Sequence, residues 1–136
     1  MTPGQIDAFL AEPRMAHFVT IGGDGRARVR PVWYLWRDGV FWFTTRTQAR
    51  HTGRDLGSHP EVVMSIASED RPYRAVITRG RPEILPKDEQ LLLALSTRYG
   101  DEQARRWLPE ALAQDDRVVL KLVPESVISW DYGTSD

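Results

Sequence analysis

The stretch Thr44-Thr45-Arg46-Thr47-Gln48-Ala49-Arg50-His51-Thr52 carries the clearest chemical suggestion in this chain. Hydroxyls at a strand end followed by arginines in the first turn of a helix are an arrangement that binds phosphate. Helix N–H groups and the helix dipole favour an anion, and a guanidinium grips two oxygens at once. An exposed polar helix start would look the same. The second chemical signal is aromatic. Trp33, Tyr34, Trp36, Phe41, Trp42 and Phe43 fall within eleven residues on two neighbouring strands. Alternation puts aromatics on both faces of that hairpin, so either helices cover the outer face or some of these rings meet a planar ligand or a second subunit.

Other chemistries lack their parts. There are no cysteines, which removes disulfides, iron–sulfur clusters, thiolate zinc sites and cysteine nucleophiles, and fits a cytosolic protein. His17, His51 and His59 are not at metal-ligand spacing, so no metal site is expected. His17 is expected to be partly buried and hydrogen-bonded, His59 to touch solvent or a carbonyl, and His51 to be a surface helix residue or an anion contact. No serine lies in a Gly-x-Ser-x-Gly elbow. Glu69-Asp70 and Asp115-Asp116 read as solvated turn residues. Gly22-Gly23-Asp24-Gly25 leads from strand to strand, which suits a hairpin rather than a phosphate loop.

The elements that must position these residues follow from pattern. Residues 2–12 read as a helix with Ile6, Phe9 and Leu10 on one face and Pro13 as its stop. Strands are expected at 15–21, 26–36, 40–45, 61–67 and 73–85, the last bent at Gly80 or Pro82. Turns at 22–25 and at Arg37-Asp38-Gly39 join the first three into a meander. A helix over 47–58 has Thr47 as N-cap. A helix over 87–99 carries Leu91, Leu92 and Leu95 with Gly100 as its cap, and another over 101–114 is interrupted near Pro109. Residues 117–123 and 127–132 form a sixth strand broken at Pro124. The expected fold is one α+β domain over residues 1–136, a six-stranded antiparallel barrel with short flanking helices.

Composition sets the outer limits. A chain of 136 residues holds one core, and 41% hydrophobic with 27% charged residues is ordinary for a globular protein. No basic-then-apolar leader opens the sequence and no run reaches a membrane span, so a cytoplasmic protein without membrane contact is expected. The net charge of −1 conceals a split: residues 26–81 hold eleven arginines against five acids, a net of +6. That makes the middle of the chain a plausible anion-binding region. Arginines interleaved with aromatics also suit single-stranded nucleic acid, but the acidic C-terminal half opposes it and no nucleic-acid partner is expected.

Taken together, several segments resemble the pyridoxamine 5′-phosphate oxidase-like split-barrel superfamily. They are Gly25-Arg26-Ala27-Arg28-Val29-Arg30-Pro31-Val32-Trp33-Tyr34, then Phe43-Thr44-Thr45, then 50–56 with His59-Pro60. Pro72-Tyr73-Arg74-Ala75-Val76, Gly80-Arg81-Pro82-Glu83, Arg117-Val118-Val119-Leu120 and Ser129-Trp130 follow in order. The resemblance implies a split β-barrel homodimer that holds FMN or the deazaflavin F420 at its interface and moves hydride to or from a small organic substrate. It implies that Arg30, Pro31, Val32 and Trp33 line the ring largely through backbone groups. Thr44 and Thr45 would approach the ribityl chain or phosphate, Arg50, His51 and Thr52 would form the phosphate turn, and Arg74 would also contact the cofactor. Relatives often carry a lysine near Thr52; here Arg46, Arg50 or Arg54 would have to replace it. The central positive charge slightly favours F420. No catalytic side chain is singled out, with Tyr34, Tyr73 and water available as proton donors. A haem- or flavin-binding protein without turnover, or a single-stranded nucleic-acid-binding barrel, is the alternative.

Overall fold

The first helix is capped by its own sequence. Thr2 and Gln5 form a reciprocal capping box, Pro3 occupies the first turn, and Phe9 and Leu10 enter the core. This is α1, Pro3–Ala11. The computed structural model describes residues 1–134, apart from the side chains of Arg50 and Thr134. Strands follow as β1 (Ala16–Ile21), β2 (Ala27–Val32), β3 (Leu35–Arg37) and β4 (Val40–Arg46). After a single 3-10 turn, Ala49–His51, come α2 (Thr52–Ser58), β5 (Val62–Ala67), β6 (Arg74–Gly80) and β7 (Glu83–Pro86). Two helices, α3 (Glu89–Thr97) and α4 (Asp101–Ala113), precede β8 (Arg117–Leu122), β9 (Ser126–Asp131) and a last 3-10 turn, Tyr132–Thr134.

The strands form two antiparallel sheets, β2-β1-β5-β6-β9 and β3-β4-β8-β7. This is an α+β architecture, consistent with a split barrel, but six strands have become nine among the described residues. The three longest expected strands each leave one sheet and enter the other. The first change is at Trp33-Tyr34, where the Tyr99 hydroxyl takes the place of a strand partner. It accepts from Tyr34 N–H at 3.0 Å and shares its proton between Arg14 C=O at 2.7 Å and Tyr34 C=O at 3.1 Å. The second is at Arg81-Pro82, where Pro82 offers no N–H to a ladder. The third is at Val123-Pro124, closed by Glu125 N–H donating to Arg79 C=O at 2.8 Å.

Both expected turns are present. Gly22 N–H donates to Arg26 C=O at 2.8 Å, with Gly25 at φ +79°. Asp38 and Gly39 both take positive φ between paired Arg37 and Val40, as a tight hairpin requires. The helix expected over 47–58 starts later. His51 is left-handed at φ +63° and divides the 3-10 turn from α2, so Thr47 is not its N-cap. Thr47 instead lies in a turn held by Asp116, whose C=O accepts from Thr47 N–H at 3.0 Å. The α4 helix runs through Pro109 without interruption, because Ala104 and Ala111 bury both halves against the domain.

The core lies between the sheets. Phe18 of β1 meets Phe43 of β4 edge-on at 5.0 Å, and Tyr34 meets Phe41 at 5.7 Å. Trp42 turns outward from β4 and is half-buried beside Leu91 and Ala94 of α3. A helix thus covers part of the outer face of the second sheet, as the first reading of the crowded aromatics expects. No helix among the described residues is long and apolar enough to cross a membrane.

Candidate functional site

The sheet change at Trp33 opens a groove. β2 and β4 belong to different sheets, and Trp107 of α4 reaches the space between them. The resulting groove has a volume of about 340 Å³ and is lined by Arg30, Pro31, Val32 and Trp33 on one side. Thr44, Thr45, Arg46 and Ala49 line the other side, and Met15, Trp107 and Arg117 complete it. Six of the ten sequence-predicted cofactor contacts thus meet in one place. Two roomier clefts, of about 570 Å³ between α3 and α4 and about 580 Å³ between β4 and α3, gather none of them.

One wall is flat and aromatic. Trp33 stacks on Tyr99 at 5.1 Å and takes Trp107 edge-on at 5.4 Å, while the Arg117 guanidinium lies over Trp107 at 5.4 Å. β2 is an edge strand of its sheet. Antiparallel alternation, counted from the Gly22–Arg26 hydrogen bond, turns the backbone groups of Ala27, Val29 and Pro31 away from β1. Pro31 therefore sits at an edge position that needs no N–H for the ladder.

The opposite end of the groove is cationic. Arg46 and Arg117 are a cross-strand pair of β4 and β8. Arg46 Nε donates to Asp116 Oδ1 at 3.0 Å, and Gln48 N–H donates to Oδ2 at 3.2 Å. Burial pushes the Asp116 carboxyl up, but the bonds from Arg46 and Gln48 outweigh it and hold it below the usual carboxylate range. Arg117 finds only a neutral acceptor, donating from Nε and Nη2 to Gln114 Oε1 at 3.0 and 2.5 Å. Burial and the neighbouring Arg46 charge both lower its affinity for a proton, against an opposing pull from Asp116. Two like charges held side by side at a groove wall are electrostatically incomplete and suit an anionic ligand.

Arg30 behaves differently. Its Nη1 donates to Thr20 Oγ1 at 2.8 Å and its Nη2 lies 3.5 Å from Asp55 Oδ2, so its side chain is a buried strut beneath the groove. Thr44 is also committed, donating its hydroxyl to Val118 C=O at 2.6 Å.

The remaining sequence-predicted residues do not line the groove. Thr52 is buried and donates its hydroxyl to Ala49 C=O at 3.0 Å, bracing the 3-10 turn. His51 is exposed at the left-handed junction, and the side chain of Arg50 lies outside the described residues. Arg74 packs over the Phe9 ring at 5.0 Å and approaches Glu12 at 3.9 Å. Tyr34 is fully buried; burial pushes its hydroxyl up to about 12 against the lowering effect of Arg98, and it donates to Glu12 C=O at 3.0 Å. It is no proton donor to the groove, and Tyr73 does not line it either. His17 is exposed rather than partly buried, because the register of β1 sends it to the outer face of its sheet. None of the three histidines lines the groove. Met15, Trp107 and Arg117 were not anticipated. Trp107 sits on an amphipathic helix like any packing residue, and Arg117 becomes part of the site only through its pairing with β4.

A family model described as "Pyridoxamine 5'-phosphate oxidase" matches residues 2–131. No curated protein matches the chain. Among solved structures, a conserved hypothetical protein from Mycobacterium tuberculosis is similar at 24% identity and TM-score 0.80, over 97% of this chain and 86% of that one. An F420 reductase is similar at 27% identity and TM-score 0.71, over 90% of this chain and 94% of that one. HutZ, the haem storage protein of Vibrio cholerae, shares the fold at 16% identity and TM-score 0.70, over 95% of this chain and 93% of that one.

Proposed function

The chain belongs to the pyridoxamine 5′-phosphate oxidase family, and on that premise we propose that it is an oxidoreductase using F420 or FMN, with F420 slightly favoured. The observation that carries this reading is the groove itself, which joins a flat aromatic wall to a paired-guanidinium end. Its volume lies within the ~300–1,000 Å³ typical of cofactor and ligand pockets. Such a cofactor has the same two-part character, a planar ring system and a phosphate-bearing chain. The edge of β2 at Pro31 and Val32, with Trp33, would hold the ring, and Arg46, Arg117 and Thr45 would receive the phosphate. The likeness to an F420 reductase at 27% identity supports the deazaflavin side of the choice.

Bound there, the cofactor supplies the hydride chemistry. The protein's part is to fix the ring against β2, exclude water with Trp107 and the α4 helix, and leave one face open to a small organic acceptor. Among the described residues no ionisable carboxylate, histidine or tyrosine lines the groove, so water is the available proton source on this reading. The same absence of histidine counts against haem ligated by this groove.

A second copy of the chain belongs to the reading. The outer face of the five-stranded sheet carries Val19, Val29, Val63, Ile77, Ile128 and Trp130. Val29 is 57% and Ile128 61% exposed. Against this sheet α2 packs from the core side, through Leu56 and Asp55. His17, Ser65 and Arg79 interrupt these apolar side chains on the same face. Exposed apolar groups in this number suit an association surface, and Pro31 lies both on this face and in the groove lining. A homodimer would cover the face and close the open side of the site. Ile128→Asp is expected to yield monomers in sedimentation and to weaken cofactor binding; a wild type that sediments as a monomer contradicts the dimer. Fluorescence or absorbance titration with F420 and FMN in parallel tests the cofactor, and binding of neither overturns the reading.

A further inference from the structure

We propose that Tyr99 is a positioning residue for the cofactor ring, its hydroxyl fixing the peptide units that set Met15 and Trp33 in the groove wall. The proposal rests on the flavin-type reading above, and Tyr99 does not itself line the groove. Tyr99 stands in the junction between α3 and α4. Its N–H donates to Ser96 C=O at 3.0 Å, and Gly100, at φ +118°, turns the chain into α4 directly after it. Leu92, Leu95 and Ser96 are buried and anchor the end of α3.

Three backbone groups meet at the one phenolic oxygen. The Tyr34 N–H, in the peptide that follows Trp33, donates to Tyr99 Oη at 3.0 Å. The hydroxyl proton is directed at Arg14 C=O, in the peptide that precedes Met15, at 2.7 Å, and at Tyr34 C=O at 3.1 Å. Residues 14–15 and 33–34 lie outside the strands, and Tyr34 is fully buried. Peptide groups in such a place are costly to leave unpaired, so the hydroxyl decides where they sit. The Tyr99 ring then stacks on the Trp33 indole at 5.1 Å, with 10° between the planes, while Trp107 meets Trp33 edge-on. Trp33 is thus held by its backbone and by its ring from one side chain. A planar ligand packed on this wall depends on the placement of the indole, and Tyr99 sets that placement without touching the ligand.

The test is Tyr99→Phe, which keeps the stacked ring and removes the hydroxyl. Dissociation constants are measured well below the melting temperature, with F420 and with FMN. The variant is expected to bind whichever cofactor the wild type holds roughly ten-fold more weakly. In a Trp33→Leu background the same change should add about two-fold at most, because Tyr99 acts through Trp33. Combined with Arg46→Gln the two losses should multiply, because Arg46 serves the phosphate end. A variant that melts lower yet binds as tightly as wild type overturns the proposal, since the hydroxyl would then serve stability alone. An undiminished loss in the Trp33→Leu background, or a loss that does not multiply with Arg46→Gln, overturns it too. Should Tyr99→Phe not fold, hydrogen exchange of the wild type decides. Cofactor is expected to slow exchange of the Tyr34 amide several-fold, and an unchanged rate overturns the proposal. A wild type that binds neither cofactor removes instead the reading of the groove on which the proposal rests.

Discussion

Asp55 and Asp116 each face two arginines, yet the two clusters are built to opposite ends. Asp55, on α2, is 1% exposed and has all its bonds inside the molecule. Thr20 donates to it at 2.9 Å, Arg28 at 2.7 Å, and Arg30 stands 3.5 Å away. Burial pushes its carboxyl up, but the hydrogen bonds from Thr20 and Arg28 and the charges of Arg28 and Arg30 outweigh it and hold it below its ordinary value. Asp116 gives its carboxylate to Arg46 and a backbone N–H, while the adjoining Arg117 is left with a neutral amide. The first cluster closes on itself and joins α2 to the β1–β2 hairpin. The second keeps unspent positive charge at the wall of a groove. Arginines that are equivalent in a count of charge are thus divided between scaffold and site by the carboxylates near them.

The largest expected effect breaks the closed cluster. Asp55→Ala leaves the buried Arg30 without its carboxylate and Arg28 with only Asp24 at 3.8 Å, and should cost about 3–5 kcal/mol in denaturant unfolding. A loss below about 1 kcal/mol would mean that this cluster is no more committed than the one at the groove. The acid limit follows with its sign. Because the folded Asp55 value is depressed, its contribution is complete above the unfolded carboxylate pKa of about 3.9 and is lost as pH falls through the lower folded value. Stability should therefore decline steeply only below that range, and Asp55→Asn should flatten the decline. Arg46→Gln sharpens the contrast from the other side. It should weaken phosphate-bearing cofactors roughly ten-fold and cost less stability than Asp55→Ala, because the Arg46 side chain is 44% exposed and Asp116 keeps the Gln48 N–H.

What could be read from the sequence was local. The hairpins at Gly22–Gly25 and Asp38–Gly39 are legible because only a few residues tolerate positive φ there. The first helix is legible from its Ile6, Phe9 and Leu10 face and the Pro13 stop, and α3 from the Leu91, Leu92 and Leu95 stripe. The three changes of sheet were not. Trp33-Tyr34-Leu35 is apolar throughout, and its alternation breaks only when Tyr34 and Leu35 are both found buried. The start of α2 was misplaced because a left-handed His51 leaves no compositional mark. In the site, Arg30 to Trp33 and Thr44-Thr45 were anticipated through family resemblance. Arg117 and Trp107 were not, because their place depends on β4–β8 pairing and on where α4 brings Trp107. The Arg46–Asp116 contact spans 70 residues of sequence. The arginine-rich segment drew attention to the right region but could not say that Arg28 and Arg30 are spent on Asp55.

The central claim is that the groove bounded by Trp33 and the Arg46–Arg117 pair holds a flavin-type cofactor by its ring and its phosphate. Equilibrium titration of wild type and Arg117→Gln with F420 and FMN, at one ionic strength, tests it most directly. The account predicts saturable binding of at least one cofactor by the wild type, and at least ten-fold weaker binding by a variant whose melting temperature is unchanged. Wild type that binds neither, or Arg117→Gln that binds as tightly as wild type, would contradict it.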